Sequence, residues 1–377
     1  MKAIFIHFYG FSSHSGISKK ILSQIKALHT CSVETELCYI EIDDEGSQKR
    51  VCNGKVIDDF GKGFSAKYAK WIKFKNLTEY ILNNGFDFCY VRSSYNSNFQ
   101  LIKMLVQLKK AGVTNIMEIP TYPYDNEIKG VVIKYLPIFL LDKIYRNRLN
   151  GVIDRIVTFS DYPEILGIKT IRISNAVEFD LIKVKESNII RNNILNLIAV
   201  AEIHFWHGFD RIISGLGRYY KDKNRKMDII LHLVGEGPSN DMKHLRALVS
   251  EFKLEERVIF YGNQQGSVLD DLFEIANFGI ASLGRHRSGV SKIKTLKNRE
   301  YAARGIPFIY SEFDDDFDNM PYILRMPQDD SPIDVYSILD FYNKVDKNPM
   351  NIRESIINTL SWEIQMRKVV DEIKLIR

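Results

Sequence analysis

Residues 295–309 read "TLKNREYAARGIPFI". Lys297 and Glu300 are three residues apart, so on a helix they share a face. A lysine there can meet a phosphate, and a carboxylate can accept two hydroxyl hydrogen bonds, as from a ribose diol. Arg299 falls on a different face and reads as structural. Ala302, Ala303 and Gly305 are small enough to let the helix lie close to a sheet. Gly305 can end the helix, and Pro307 can open a buried strand, "PFIY". The stretch therefore reads as a helix with a working first turn, followed by a core strand.

The same alternation runs outward in both directions. Upstream, "NLIAVAEI", "MDIILHLVGEGP", "RVIFYG" and "FGIASLG" read as strands separated by helical segments such as "GFDRIISGLGRYYKD" and "NDMKHLRALVSEFKL". The first half has its own series. "KAIFIHFY", "SVETELCYIEI", "FDFCYVR", "TNIMEIP", "IDRIVTFS" and "KTIRISNAV" read as strands of a parallel sheet. A polar, weakly periodic stretch, 178–194, separates the two series. The expected fold class is α/β, with two doubly wound, Rossmann-like domains facing a central cleft. The expected division is 1–177, 178–360, and a terminal helix, 361–377, that packs back on the first domain.

Length and composition fit this reading. The 377 residues are 45% hydrophobic and 26% charged, a globular profile. A net charge of +5 is too mild to argue for nucleic acid. Cys31, Cys38, Cys52 and Cys89 fit no zinc spacing and read as buried, reduced thiols. The N-terminus does not read as a signal peptide and no stretch is long enough to span a membrane, so a cytoplasmic protein is expected.

In open parallel sheets, ligands bind beyond the carboxyl ends of the strands. The second series places "EIHFWHG", "GEGP", "YGNQQG" and "GRHRSGVSKIK" there. The last of these carries Arg285, Arg287, Lys292 and Lys294, with Lys297 one turn on. Helix N-termini and clustered cations favour an anion, most simply a diphosphate. The acidic run "SEFDDDFD", 311–318, reads as a solvated loop rather than a metal site.

"KNREYAARGIPFI" resembles the K-x-x-E-Y-x-A-x-G-x-P signature of group 1 (family 4) glycosyltransferases, which have the GT-B fold. "AVAEIHFWHGFDRII", "LHLVGEGP", "RVIFYGNQQ", "ISNAVEFD" and the "SW" at 361–362 are similar to further motifs of that family, in the same order. The first half is similar only through "HSGIS" and "EIPTYPYD", the latter in the manner of bacterial capsule and surface-polysaccharide members. The resemblance implies transfer of a sugar from a nucleotide-sugar, a UDP-sugar above all, to an acceptor hydroxyl, with retention at the anomeric carbon. It implies that Glu300 holds the ribose and that Lys297, with the loop from Ser288, holds the diphosphate. Gly235, Gly237, Gly262 and Asn263 would lie near the base. Two departures stand out. Glu202 and His207 occupy positions where many members carry an arginine and a lysine, and Lys292 stands where many carry an acid, eight positions before Glu300.

The candidate catalytic residues are Lys297, Glu300, His14 and Glu118, with His14 or Glu118 as the base. The candidate donor-binding set adds Gly16, His207, Gly235, Gly237, Gly262, Asn263, Arg285, Ser288, Gly289 and Lys294. His207 would bind phosphate if protonated. Ser15, Arg92, Tyr95, Thr121, Tyr122 and Tyr124 are candidates for a glycan or lipid-linked acceptor. No metal and no bound cofactor are expected. Two segments bear on a membrane. "GKGFSAKYAKWIKFK", 61–75, fits either an anionic interface or a helix whose lysines cover a core face. For 131–149 the preferred reading is a core helix with a basic outer face, and peripheral contact at the inner face of the membrane is the alternative. The competing functional readings are a non-catalytic partner of an active transferase and a nucleotide-sugar epimerase.

Overall fold

The computed structural model describes residues 1–11, 16–125 and 136–377. The chain divides into two compact units, Met1–Ser174 with Trp362–Arg377, and Asn175–Ser361.

The first unit is built on strands β1 (Lys2–Ile6), β2 (Glu34–Ile42), β3 (Gln48–Cys52), β4 (Lys55–Asp59), β5 (Phe88–Arg92), β6 (Thr114–Ile119), β7 (Arg155–Thr158), β8 (Glu164–Ile165) and β9 (Ile168–Arg172). Their order is β4-β3-β2-β1-β5-β6-β7-β9-β8. The centre, β2-β1-β5-β6-β7-β9, is parallel. Strands covered on both faces need continuous apolar runs, and every residue of β5 and β6 is buried. Helices α1 (Gly16–Thr30), α2 (Gly63–Ile72), α3 (Lys75–Asn83), α4 (Phe99–Lys110) and α5 (Leu136–Tyr145) belong to this unit.

Three expectations change here. The sheet is not wholly parallel, because β3 and β4 form an antiparallel hairpin on β2. Its turn is Asn53-Gly54, both with positive φ, the pairing that a tight hairpin favours. In 61–75, Trp71 and Phe74 are core residues, and buried Lys70 lies over the rings of Tyr9 and Trp71. This part of the segment is a helix closing a core, although Phe64 stays exposed. Finally, the outer face of α5 is mainly apolar, with exposed Lys143 as its basic residue. Leu136, Leu140, Leu141 and Ile144 are exposed, whereas Ile138 and Asp142 are buried. Residues 126–135, with the first part of the predicted 131–149 segment, lie outside the described residues. The four cysteines are buried and free, as expected. Among the described residues no helix is long and apolar enough to cross a membrane.

The second unit holds a six-stranded parallel sheet of β10 (Ile194–Val200), β11 (Asp228–Val234), β12 (Val258–Phe260), β13 (Phe278–Ile280), β14 (Phe308–Tyr310) and β15 (Ile323–Arg325). The order is β12-β11-β10-β13-β14-β15. Its helices are α6 (Phe209–Lys221), α7 (Ser239–Glu251), α8 (Gly266–Ile275), α9 (Leu296–Arg304), α10 (Val335–Lys344) and α11 (Pro349–Ile357). The terminal helix α12 (Trp362–Ile376) belongs to the first unit, where it packs on α1.

The opening stretch is α9 and β14. Thr295 caps the helix, its side chain accepting from the Asn298 amide. Gly305 closes it at φ 80°, and a Cβ there would stand 2.5 Å from Pro349 of α11. Ala302 and Ala303 are wholly buried. Tyr301 fixes the helix to the sheet. Its hydroxyl accepts from the Val200 amide at 3.1 Å and donates to the Ile280 carbonyl at 3.1 Å, tying α9 to the ends of β10 and β13. Its ring needs the space beside Gly279, where a Cβ would come within 2.8 Å. Tyr301→Phe leaves a buried amide and a carbonyl short of a partner, at a cost of about 1–3 kcal/mol. In urea unfolding the midpoint should fall with the slope unchanged. An unchanged midpoint would show that Tyr301 does not anchor α9.

Candidate functional site

In the second unit the loops after β10, β13 and β14 meet the first turn of α9. The loop after β10 turns at Gly208, φ 64°, where a Cβ would stand 2.6 Å from the Gly284 amide. The Leu283 amide donates to the His207 carbonyl at 2.8 Å, so the β10 and β13 loops are locked together. Two groups of charge follow from this packing.

One group is structural. Arg299 is wholly buried. It meets Asp314 with two nitrogens, one contact at 2.9 Å, and it also pairs with Asp316. Its Nε donates to the Asn175 carbonyl at 3.0 Å. Asn298 Nδ2 donates to Asp314 at 2.9 Å. Burial alone would lower the guanidinium pKa, but the two carboxylates outweigh it and raise it. The "SEFDDDFD" run is therefore not a solvated loop. Ser311, Glu312 and Asp314 are wholly buried, because the loop carries the counter-charges of a core arginine. Arg287, part of the expected basic cluster, is likewise committed. It holds Asp210 with two bonds of 2.7 and 2.8 Å and Asp330 with one of 2.7 Å.

The other group comprises Lys297, Arg285, Glu312 and His207. Lys297 is half-buried. Burial and the charge of Arg285 lower its ammonium to about 7, with Glu312 opposing them. Glu312 is raised to about 7 by burial, against the pull of its own backbone amide, Arg285 and Lys297. Among the described residues neither of its carboxylate oxygens has a hydrogen-bond partner. Ser282 Oγ and Ser311 Oγ, at the adjoining ends of β13 and β14, are buried without partners too. Glu312 escaped sequence reasoning because it sits in an acidic run. The readable signal was its place, two residues beyond a buried strand.

His207 corrects an expectation. Burial, then Lys297, Arg285 and His204, hold its imidazole far below the usual histidine range. The His204 amide donates to its Nδ1 at 3.0 Å, which leaves the proton on Nε2. It is a neutral donor and not a phosphate-binding cation. Glu300 does not pair with Lys297. Its Oε1 accepts from Arg304 at 3.1 and 3.2 Å, and Arg304 also reaches Asp270 at 2.7 Å. Lys292 pairs with exposed Asp315 at 2.7 Å. Ser288 Oγ donates to the Arg285 carbonyl, and Gly289 supplies the left-handed residue closing that turn. The Lys294 carbonyl accepts from Asn175.

The glycine loops serve close backbone approach. Gly235 donates to the Gly262 carbonyl at 2.7 Å. A Cβ on Gly235 or Gly237 would fall 1.7 Å from the Ala201 carbonyl oxygen or 1.8 Å from that of Ile203. Asn263 Oδ1 accepts from the Glu236 amide.

In the first unit, Glu118 ends β6 in full burial. It accepts from Gln24 at 2.8 Å and Tyr90 at 2.7 Å, pairs with Arg92, and has Lys20 at 3.9 Å. Burial would raise its carboxyl, but Arg92, Lys20 and the two hydrogen bonds hold it below the ordinary range. A carboxylate so occupied is a structural counter-ion, which corrects its assignment as a base. Arg92 is spent on the same pair. Tyr124 is buried, its hydroxyl donating to Asp142 at 2.9 Å, and its ring stacks on Tyr95 at 4.3 Å. It supports the loop, whereas Thr121, Tyr122 and Tyr95 keep part of their surface. Gly16 opens α1 in an exposed position, and His14 and Ser15 lie outside the described residues. His7, which follows β1, was not foreseen. It is buried and lowered to about 4 by burial, Arg92 and Lys70, against Glu118.

No family model matches the chain, and no curated protein matches it. Solved structures do. The chain is similar to sucrose-phosphate synthase from Thermosynechococcus elongatus, with TM-score 0.71 and 13% identity, covering 100% of this chain and 99% of that one. The chain has the GT-B fold. Anabaena HepE in complex with UDP and glucose matches at TM-score 0.58 and 12% identity, covering 100% of both chains. The pneumococcal O-GlcNAc transferase GtfA in complex with UDP and GlcNAc matches at 0.57 and 9%, covering 100% and 99%.

The two acids at the tip of β14 should differ sharply. Asp314→Ala strands a buried guanidinium and should cost about 3–5 kcal/mol. Asp315→Ala removes an exposed pair and should cost under about 1 kcal/mol. Equal losses in chemical denaturation would contradict the division into structural and surface charge.

Proposed function

We propose that this protein is a glycosyltransferase that moves a sugar from a nucleotide-sugar, a UDP-sugar first, to a hydroxyl of a glycan or lipid-linked saccharide. The observation that carries the reading is the first turn of α9. Lys297 and Glu300 stand there beside Arg285, beyond the carboxyl ends of the parallel strands β13 and β14. A helix N-terminus with two adjacent cations suits a diphosphate. Glu300 offers its Oε2 to the ribose diol, since Arg304 engages only Oε1. The GT-B neighbours solved with UDP and a sugar support the same donor class.

Positioned cations stabilise the charge that develops on a leaving diphosphate. In this reading Lys297 and Arg285 do that work, and the transfer is metal-independent and retaining. Neutral His207 adds an Nε2–H donor. The exposed leucine face of α5, with Lys143 and Arg148 close in sequence, supports a lipid-linked acceptor and peripheral contact with the cytoplasmic membrane face, as in surface or capsular polysaccharide synthesis.

The second reading is a non-catalytic partner of an active transferase. It is favoured by Glu202, an exposed acid at a donor-loop position, and by Lys292, turned outward to Asp315. Turnover separates the two. Purified protein should release nucleoside diphosphate from a nucleotide-sugar. Glu300→Ala should lower that rate about 100-fold or more, since two hydrogen bonds to a charged acceptor are worth about 1.5–3 kcal/mol each. Its thermal midpoint should hardly move, because Arg304 keeps Asp270. Full activity in Glu300→Ala would refute the site. Wild-type protein that releases nothing from any common nucleotide-sugar would favour the partner reading.

A further inference from the structure

Glu312 has no role in the donor site proposed above. It is wholly buried, yet both carboxylate oxygens lack a hydrogen-bond partner among the described residues. Buried polar atoms are nearly always paired, and a carboxylate without a partner is the costliest exception. The backbone fixes its place. On one side the Ser311 amide donates to the Ser282 carbonyl at 3.0 Å, joining this tip to the end of β13. On the other, Asp314 is bonded to Asn298 and Arg299, the residues that follow Lys297 on α9. Phe313 pairs with the 291–293 segment from above, its amide donating to Ser291 at 2.8 Å and its carbonyl accepting from Ile293 at 3.0 Å. Glu312 is thus held between the β13 tip and the first turn of α9. The charged groups that act on it are Lys297 from α9, Arg285 from the turn after β13, and Asp314 from its own loop. His207, on the β10 loop, feels the same two cations and is neutral.

We propose that Glu312 is a positioning residue for the donor phosphates, acting through Lys297 as the resident counter-charge that an incoming diphosphate replaces. Without ligand, its carboxylate favours the charged form of the half-buried ammonium. When a diphosphate arrives, Lys297 and Arg285 turn to the stronger anion, and Glu312 takes up a proton. Ser282 and Ser311 then stand beside a neutral carboxyl. Binding at this site is therefore coupled to proton uptake. This inference rests on the donor site proposed above.

The sign of the pH effect follows. Lys297 is lowered to about 7, so its charge is complete below that pH and lost above it. Among the described residues Glu312 is the neighbour that raises the ammonium, so removing it moves the midpoint to lower pH. The test is pH-dependent labelling of the full-length protein with an amine-reactive ester, reading the Lys297 peptide by mass spectrometry. In E312Q the Lys297 midpoint should fall by about one pH unit, giving about tenfold more free amine at a given pH below it. E312D, which keeps the charge one methylene further back, should lie between. Identical profiles in the wild type and both variants would overturn the proposal, as would a rise. If E312Q is unfolded, E312D alone decides by the same shift in the same direction.

A second measurement uses UDP-glucose, whose two phosphates keep a fixed charge across this range. Its thermal stabilisation of the protein should fade at lower pH in E312Q than in the wild type. The same pH dependence in both would also overturn the coupling. If UDP-glucose stabilises neither at any pH while the Lys297 midpoint still shifts, the Glu312–Lys297 coupling stands and the UDP-sugar reading is what fails.

Discussion

The second unit depends on a guanidinium buried at the end of its sheet. Arg299 sits in the middle of α9 with Asp314 and Asp316 from the loop after β14. The pair is costly to bury and costlier to break. It forces the chain after β14 to turn back over the first turn of α9 rather than into solvent. That turn brings Glu312 within electrostatic reach of Lys297 and closes the tip of β14 against Ser282 of β13. Tyr301, two residues after Arg299, ties the same helix to β10 and β13. Successive residues of one helix thus do separate things. Lys297 and Glu300 serve the ligand side, Arg299 and Tyr301 hold the helix in place, and Ala302 and Ala303 let it lie close to the strands.

This arrangement separates two kinds of charge. Arg287, Arg299 and Arg304 are spent on acids of the fold. Burial and the charge of Arg285 lower the readiness of Lys297 to carry charge, which a bound anion would relieve. An ammonium lowered in this way is suited to a diphosphate. The first unit shows the opposite economy at the end of β6. There Glu118 is saturated by Gln24, Tyr90, Arg92 and Lys20.

The parts legible in the sequence were those whose meaning is local. Thr295 as a cap, Gly305 at positive φ and Pro307 before a strand each state their role within a few residues. β1, β2, β5, β6, β7, β9 and β10 to β14 were readable from apolar runs, whereas β8 and β15, of two and three residues, were too short to show one. The β3–β4 hairpin was readable too, from Asn53-Gly54, but the alternation around it is short and was passed over. What stayed hidden depends on partners far along the chain. Nothing near Glu118 announces Gln24 or Lys20, although an acid within a fully buried strand is itself a sign of an internal ion pair. "SEFDDDFD" looks solvated until Arg299 is placed beside it. The state of His207 turns first on its burial and then on two cations some 80 and 90 residues further on, while the His204 amide fixes its tautomer.

The central claim is that the α9 tip receives a nucleoside diphosphate. Titration calorimetry of the purified chain with UDP, ADP, GDP, CDP and TDP tests it most directly. Saturable one-to-one binding of at least one of them, with UDP foremost, is expected, with loss of that heat in Lys297→Ala. Absence of binding across the whole panel, or undiminished binding in Lys297→Ala, would contradict it.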